Sequence, residues 1–172
     1  MVTTTEWLAE VKASKEKFYH WLERQYIGEA LAAQRISALA QVIGSPKIKA
    51  VLVKIAADEE RHCQWVGELL DKFGIEKPIP SYSEDRYWKE IKVAGLDDIM
   101  AAGHHAEAMR LVRIKALAAD AEIDEDVRKV FQRILPDEEM HAKAFAAVTT
   151  PEAIARMEPF HQAGLKALGL EL

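Results

Sequence analysis

The chain contains a single cysteine, Cys63, among its 172 residues. One thiol cannot close a disulfide within the chain, and it cannot supply a zinc or iron–sulfur site made only of cysteines. No stretch approaches the roughly 18–20 uninterrupted apolar residues that a membrane-spanning helix requires. The amino-terminal segment has no apolar core ahead of its first charges, so we expect no secretory leader and a cytoplasmic protein without a membrane partner.

A strong excess of basic residues is also missing. Lys and Arg number 23 and Asp and Glu number 28, which gives a net charge of −5. Nucleic-acid binding needs a concentrated basic surface, so we exclude nucleic acid as the main partner. The hydrophobic fraction of 49% and the charged fraction of 30% are ordinary for a globular protein. The length therefore predicts a single domain over residues 1–172.

Helix-forming residues dominate the chain, and its apolar residues recur at spacings of three and four, which predicts an all-α protein. Gly44 and Gly74 are typical helix ends, and Ser45-Pro46 and Thr150-Pro151 are typical helix starts. The predicted elements are four long helices at about 4–43, 46–73, 96–123 and 124–148, a crossover at 74–95 with a short helix around 84–93, and a C-terminal helix at about 151–168. This order is that of a four-helix bundle with one long crossover.

Pro136 falls inside the predicted fourth helix. A proline in a helix interior removes one backbone hydrogen bond and bends or breaks the helix. We interpret Pro136 as a kink just before Glu138. The alternative is a helix that begins at Pro136, with 124–135 as a separate helix.

Two segments carry the pattern Glu-x-x-His: Glu59 with His62, and Glu138 with His141. Residues three apart share one face of a helix, so each pair can direct a carboxylate and an imidazole to one point. Both pairs continue the apolar stripe of their helix. They should therefore face the core, where an unpaired charge is very costly.

The other two long helices each carry a glutamate in their apolar stripe, Glu29 and Glu107. In an antiparallel hairpin, two residues lie level when the turn is midway between them. The midpoint of Glu29 and Glu59 is the predicted turn at Gly44, and the midpoint of Glu107 and Glu138 lies beside the predicted turn at 123–124. Each hairpin should therefore bring its carboxylates and its imidazole to one level, whereas the sequence does not fix how the two hairpins align.

Four carboxylates and two neutral imidazoles in an apolar core match the charge of two divalent cations. This is the donor set of a carboxylate-bridged dinuclear iron or manganese centre. A zinc protease is excluded because its helix carries His-Glu-x-x-His. Two alternatives stay open: the residues lie on the surface of an ordinary bundle, or they hold a metal that only supports the fold. The predicted metal ligands are Glu29, Glu59, His62, Glu107, Glu138 and His141.

At these residues the chain resembles the ferritin-like superfamily, which includes rubrerythrin, bacterioferritin, manganese catalase and di-iron oxygenases. The resemblance implies a ferritin-like four-helix bundle with two Fe ions, or alternatively Mn or a mixed Fe/Mn pair. It also implies that Glu59 and Glu138 bridge the ions. Terminal ligands would then be Glu29 with His62, and Glu107 with His141.

The same resemblance implies an oxidoreductase that activates O₂ or H₂O₂. It would be an oxidase, an oxygenase acting on a small organic substrate, or a rubrerythrin-like peroxidase, with an external electron donor. Rubrerythrins commonly have a further glutamate one turn along the third helix and a rubredoxin domain, but Arg110 stands three residues after Glu107, and one cysteine cannot hold a rubredoxin iron. Ferritin-type ferroxidase and iron storage, or manganese catalase, are the alternatives. Storage predicts a multi-chain cage, and an enzyme predicts a monomer or homodimer.

Two further residues are candidate auxiliary groups. His104 lies one turn before Glu107 and could be an additional ligand, a proton relay or a hydrogen-bonded core residue. Tyr26 lies one turn before Glu29 and could be redox-active or line a pocket, although packing is the commoner role of such an aromatic ring.

Overall fold

A computed structural model describes residues 1–171 of the chain, and its secondary structure over this range is helical, as predicted. A short 3₁₀ turn at Tyr82–Glu84 lies in the crossover. The α-helices are α1 (Thr4–Ala13), α2 (Lys15–Val42), α3 (Pro46–Phe73), α4 (Arg86–Glu90), α5 (Leu96–Ala119), α6 (Glu125–Ala147) and α7 (Pro151–Leu168). None of the helices in this range combines the length and apolar character needed to cross a bilayer.

The predicted helix starts at Pro46 and Pro151 are confirmed. The Ser45 hydroxyl accepts a hydrogen bond from the Ile48 N–H at 3.4 Å, and Thr150 accepts one from the Ala153 N–H at 3.1 Å. Each proline takes a first-turn position, where a backbone N–H has no helical partner anyway. At the other end of α3, Gly74 adopts a left-handed φ of 68°, which suits a residue without a Cβ.

The prediction of one unbroken helix over 4–43 was wrong. The chain breaks at Ser14, whose φ and ψ of −136° and 113° are extended. The Ser14 hydroxyl accepts a hydrogen bond from the Lys17 N–H at 3.3 Å and begins α2 there. Serine competes with the helix for backbone hydrogen bonds, and at a cap this tendency stabilises a new helix start.

Two other helices differ from the sequence prediction. The third long helix ends at Ala119 rather than 123, because the Asp120 carboxylate accepts a hydrogen bond from the Glu122 N–H at 2.8 Å and begins a turn. The crossover helix is shorter than 84–93 and spans Arg86–Glu90. The fourth long helix, α6, continues through Pro136 as the favoured interpretation requires, so the alternative helix start at that residue was wrong.

The chain forms two compact units. The first is Glu10–Tyr82, in which α2 packs along α3 across the short turn at 43–45. Its fully buried core side chains include Leu22, Leu52 and Leu70.

The second unit is discontinuous and consists of Met1–Ala9 with Ser83–Leu172. Within it α5 packs along α6, and α7 packs against both α4 and α5. Its fully buried side chains include Met100, Phe131, Ile134 and Met157. The amino-terminal segment joins this unit through Val2, which donates to the Gly169 carbonyl at 2.9 Å and accepts from the Glu171 N–H at 3.1 Å.

Candidate metal centre

The first unit holds a buried group of three ligand-type side chains, Glu29 on α2 and Glu59 and His62 on α3, which we call the first trio. All three residues are 0% exposed. Each offers a carboxylate oxygen or ring nitrogen, and these atoms lie within 4.8 Å of one another. His62 Nδ1 lies 3.6 Å from Glu29 Oε2. The α2–α3 hairpin thus brings its carboxylates and its imidazole to one level, as the turn position predicts.

The helical phase of α3 explains why this trio is buried. Ile55 and Val66, one turn before Glu59 and one turn after His62, are both fully buried on the same face. The centroid of the Trp65 ring lies 5.8 Å from that of the His62 ring. The two polar residues therefore occupy core positions and not surface positions.

The second unit holds an equivalent group, Glu107 on α5 with Glu138 and His141 on α6, which we call the second trio. Glu107 is 4% exposed, and the other two residues are 0% exposed. Their ligand-type atoms also lie within 4.8 Å of one another. The alternative that the six predicted ligands are surface residues is therefore wrong.

A glycine allows α5 and α6 to approach each other beside the second trio. Gly103 lies one turn before Glu107, and Phe145 lies one turn after His141. A Cβ on Gly103 would lie 2.8 Å from the nearest atoms of the Phe145 ring, which is closer than real Cβ contacts. The absence of a side chain at Gly103 therefore sets the separation of the two helices that carry the second trio.

The guanidinium of Arg110 contacts the second trio, a contact that was not predicted from the sequence. One nitrogen of Arg110 lies 3.3 Å from Glu138 Oε1, and the other lies 3.8 Å from Glu107 Oε2. The Arg110 side chain is only 17% exposed. The i, i+3 spacing to Glu107 was visible in the sequence, but the contact with α6 depends on helix packing.

The two candidate auxiliary residues are placed differently. His104 Nδ1 lies 2.9 Å from the Ala142 carbonyl oxygen of α6, and because a carbonyl only accepts, this nitrogen carries the proton. Tyr26 is half-buried and its ring lies against Gly67 on α3, so it packs between the helices of the hairpin. Burial raises the pKa of the Tyr26 phenol. The auxiliary roles of both residues stay predictions.

The second unit also contains a polar cluster of Tyr87, His105 and His161 that was not predicted from the sequence. The Tyr87 hydroxyl lies 2.9 Å from His161 Nδ1, and the His161 ring stacks on the His105 ring with centroids 4.8 Å apart. His105 Nε2 donates to the Ile154 carbonyl at 2.9 Å, and its Nδ1 lies 3.7 Å from the Glu158 carboxylate. These contacts tie α4, α5 and α7 together.

The cluster gives folding a dependence on pH. Burial lowers the pKa of His161 below its ordinary value of 6.5; His105 and His104 act in the same direction, and Glu158 opposes them. The unfolded chain therefore takes up a proton at a higher pH than the folded chain. The contribution of neutral His161 is fully present above about pH 6.5 and is lost as the pH falls from there toward the lowered folded pKa.

We expect His161→Gln to flatten the pH dependence of unfolding between pH 7.5 and 5.5. The slope should change by up to about 1.4 kcal/mol per pH unit, the value for one proton. Urea unfolding of both proteins at several pH values measures it. Parallel curves for the two proteins would show that His161 does not titrate differently in the folded chain.

The donor chemistry of the two trios fits divalent metal ions. Each trio contributes two carboxylates and one imidazole, a donor set that suits iron, manganese or zinc. Carboxylates as buried and as close together as these are stabilised by a cation, because like charges without solvent repel strongly. What the arrangement offers chemically is a hard, oxygen-rich environment that excludes bulk water.

Comparison with known proteins identifies the family. The rubrerythrin family model matches residues 20–149, about three quarters of the chain, and this range contains both trios. No curated protein and no solved structure is significantly similar to the chain. The match agrees with the helical architecture and with the buried groups of carboxylates and imidazoles. On this ground the chain belongs to the rubrerythrin family, within the ferritin-like superfamily of metal-binding helical bundles.

Proposed function

We propose that the first and second trios together hold two iron ions and that the protein is an oxidoreductase acting on O₂ or H₂O₂. The observation that carries this proposal is the pair of equivalent trios, each built from a glutamate and a Glu-x-x-His pair and almost fully buried. The family match spans both of them. All six residues of the two trios would then be ligands of the ions.

The bound ions would supply a reversible change of oxidation state, which the glutamate and histidine side chains of the trios cannot provide. The side chains of the site would set the charge and the water content around the ions. The carboxylates offset the positive charge of the ions, and the neutral imidazoles add donors without adding charge. The apolar residues around the trios, such as Ile55, Val66 and Ile134, keep bulk water away.

The electrons for a complete reaction would come from an external donor. O₂ or H₂O₂ would be the oxidant, and a small organic molecule is a further candidate substrate. Manganese catalase and ferritin-type storage are the competing outcomes, and the test below separates them from the oxidoreductase.

The test is anaerobic loading of metal-free, untagged protein with Fe(II), followed by mixing with H₂O₂ or O₂. We expect about two Fe(II) per chain, oxidation of both ions, and consumption of one H₂O₂ for each pair of ions oxidised. Size-exclusion chromatography should show a monomer or homodimer. Metal analysis of the protein as isolated then identifies the ion it carries.

Different results would select another function. Uptake of many irons per chain by a large cage would indicate storage. Release of O₂ from H₂O₂ by the Mn-loaded protein, without any electron donor, would indicate a catalase. Failure to bind any divalent ion would overturn the whole proposal.

A further inference from the structure

Arg110 places a fixed positive charge beside the second trio. Its guanidinium spans from Glu107, on its own helix, to Glu138 on α6. Arginine stays protonated throughout the accessible pH range, so this charge is permanent. The guanidinium therefore offsets part of the negative charge of the two carboxylates of the second trio.

The contact of Arg110 with the two carboxylates is mainly a charge–charge attraction and not a pair of short hydrogen bonds. The separations of 3.3 Å and 3.8 Å are longer than the 2.7–2.9 Å of a strong charge-assisted hydrogen bond. The two carboxylates lie close together and are at most 4% exposed, so the guanidinium relieves a repulsion that solvent screens poorly. Arg110 thus stabilises the second trio when no metal is bound.

A metal ion held by the second trio would use the same carboxylate oxygens. Two positive charges that share these oxygens repel each other, and the repulsion is strong where little water screens it. Either the guanidinium stays and weakens the binding of the ion, or it moves away and loses its own partners. Both cases oppose metal binding at this trio.

We propose that Arg110 acts as a resident counter-ion of the metal site, which stabilises the metal-free second trio and lowers its affinity for divalent cations. The inference rests on the proposed function, because it assumes that the second trio binds metal. Arg110 would act on the ion indirectly, through its contacts with Glu107 and Glu138.

An ordinary structural salt bridge makes a different prediction. If Arg110 only held α5 and α6 together, its removal would loosen the trio and weaken metal binding as well as folding. For a resident counter-ion, the two effects have opposite signs. The sign of the change in metal affinity therefore decides between the two roles.

The experiment compares Arg110→Gln and Arg110→Met with the parent chain. Arg110→Met retains most of the side-chain volume in case the glutamine variant folds poorly. Urea unfolding of the metal-free proteins gives stability, and anaerobic competition with a chromophoric chelator gives the affinity for Mn(II) and Fe(II). We expect both variants to be less stable without metal and to bind the more weakly held ion about tenfold more tightly or better, as estimated from the loss of one nearby charge.

Two control variants sharpen the test. Arg110→Lys keeps the charge and should bind metal within a few-fold of the parent. Lys115→Gln removes a cation from another α5–α6 ion pair, in which Lys115 Nζ lies 2.8 Å from Glu139 Oε1 and both side chains are exposed. It should leave metal affinity unchanged.

The outcomes separate this inference from the proposed function. Unchanged or weaker metal binding by Arg110→Gln and Arg110→Met, with tight binding by the parent, overturns the role of Arg110 alone. Tenfold tighter binding by Arg110→Lys as well would also overturn it, since the charge would then not be the cause. No binding by the parent overturns the metal site and this inference together.

Discussion

Glu59→Ala and His141→Ala are each expected to lower divalent-metal affinity by more than about 100-fold, since loss of an outer partner alone typically costs 10–100-fold. Glu59 belongs to the first trio and His141 to the second, and both are 0% exposed. Each substitution removes one of the three ligand side chains of a trio.

Loss of binding should also appear as loss of metal-linked stability. An ion that binds only the folded chain stabilises it by about 4 kcal/mol at a concentration 1,000 times its Kd. The parent chain should therefore unfold at a markedly higher temperature with Mn(II) than with a chelator. The two alanine variants should show little of this difference.

Conservative and control variants separate ligation from folding. Glu59→Gln preserves the shape of the side chain but removes its charge, so it should fold and still bind metal poorly. Glu60→Gln changes the exposed neighbour of Glu59, and His20→Ala changes an exposed histidine of α2. Both controls should bind like the parent. Near-stoichiometric metal in Glu59→Ala and His141→Ala would show that these residues are not ligands.

Gly164→Ala should destabilise the fold by about 2–3 kcal/mol, near the upper end of the usual cost of overpacking. A Cβ on Gly164 would come within 2.7 Å of Tyr87 Cε2 and still closer to Cδ2. The Tyr87 ring is 3% exposed, and its hydroxyl lies within hydrogen-bond distance of His161, one turn earlier on α7. The ring cannot retreat without breaking that bond.

A matched glycine makes this prediction sharp. Gly28 lies exposed in α2, and a Cβ there would meet nothing within 4 Å. Alanine is the better helix former, so Gly28→Ala should stabilise the chain by about 0.5–1 kcal/mol. Urea unfolding of both variants should thus give changes of opposite sign. A neutral or stabilising effect of Gly164→Ala would contradict the packing of α7 on Tyr87.

The features that the sequence predicted well depend on local rules. Capping by Ser45 and Thr150 and the left-handed Gly74 set three helix boundaries within a few bonds of the residues concerned. The pairing of Glu29 with Glu59 follows from counting along two helices joined by a short turn. The same arithmetic worked for the second hairpin, although its first helix ends four residues earlier than predicted, at Ala119.

The features that were not predicted from the sequence have two causes. One is competition between a local cap and a continuing helix, and the other is packing between residues far apart in the chain. The apolar stripe runs on past Ser14, so periodicity could not show that a single hydroxyl cap would prevail over the continuous helix. The contact between Tyr87 and His161 joins residues 74 positions apart. It exists because α7 packs on α4, and no periodic pattern in either helix selects that partner. The Arg110 contact with Glu138 is of the same kind.

The pairing of Val2 with Gly169 and Glu171 has a consequence for the order of folding. The segment 10–82 is one compact unit, and its α2–α3 packing can form as soon as it leaves the ribosome. Residues 1–9 are synthesised before that unit, yet the partners of Val2 are synthesised after it, so this pairing has to wait for α7. Closing so long a loop adds only about 0.6 kcal/mol for each doubling of its length, but it delays the final step. Residues 1–9 therefore reach their native positions later than the unit that follows them in the chain.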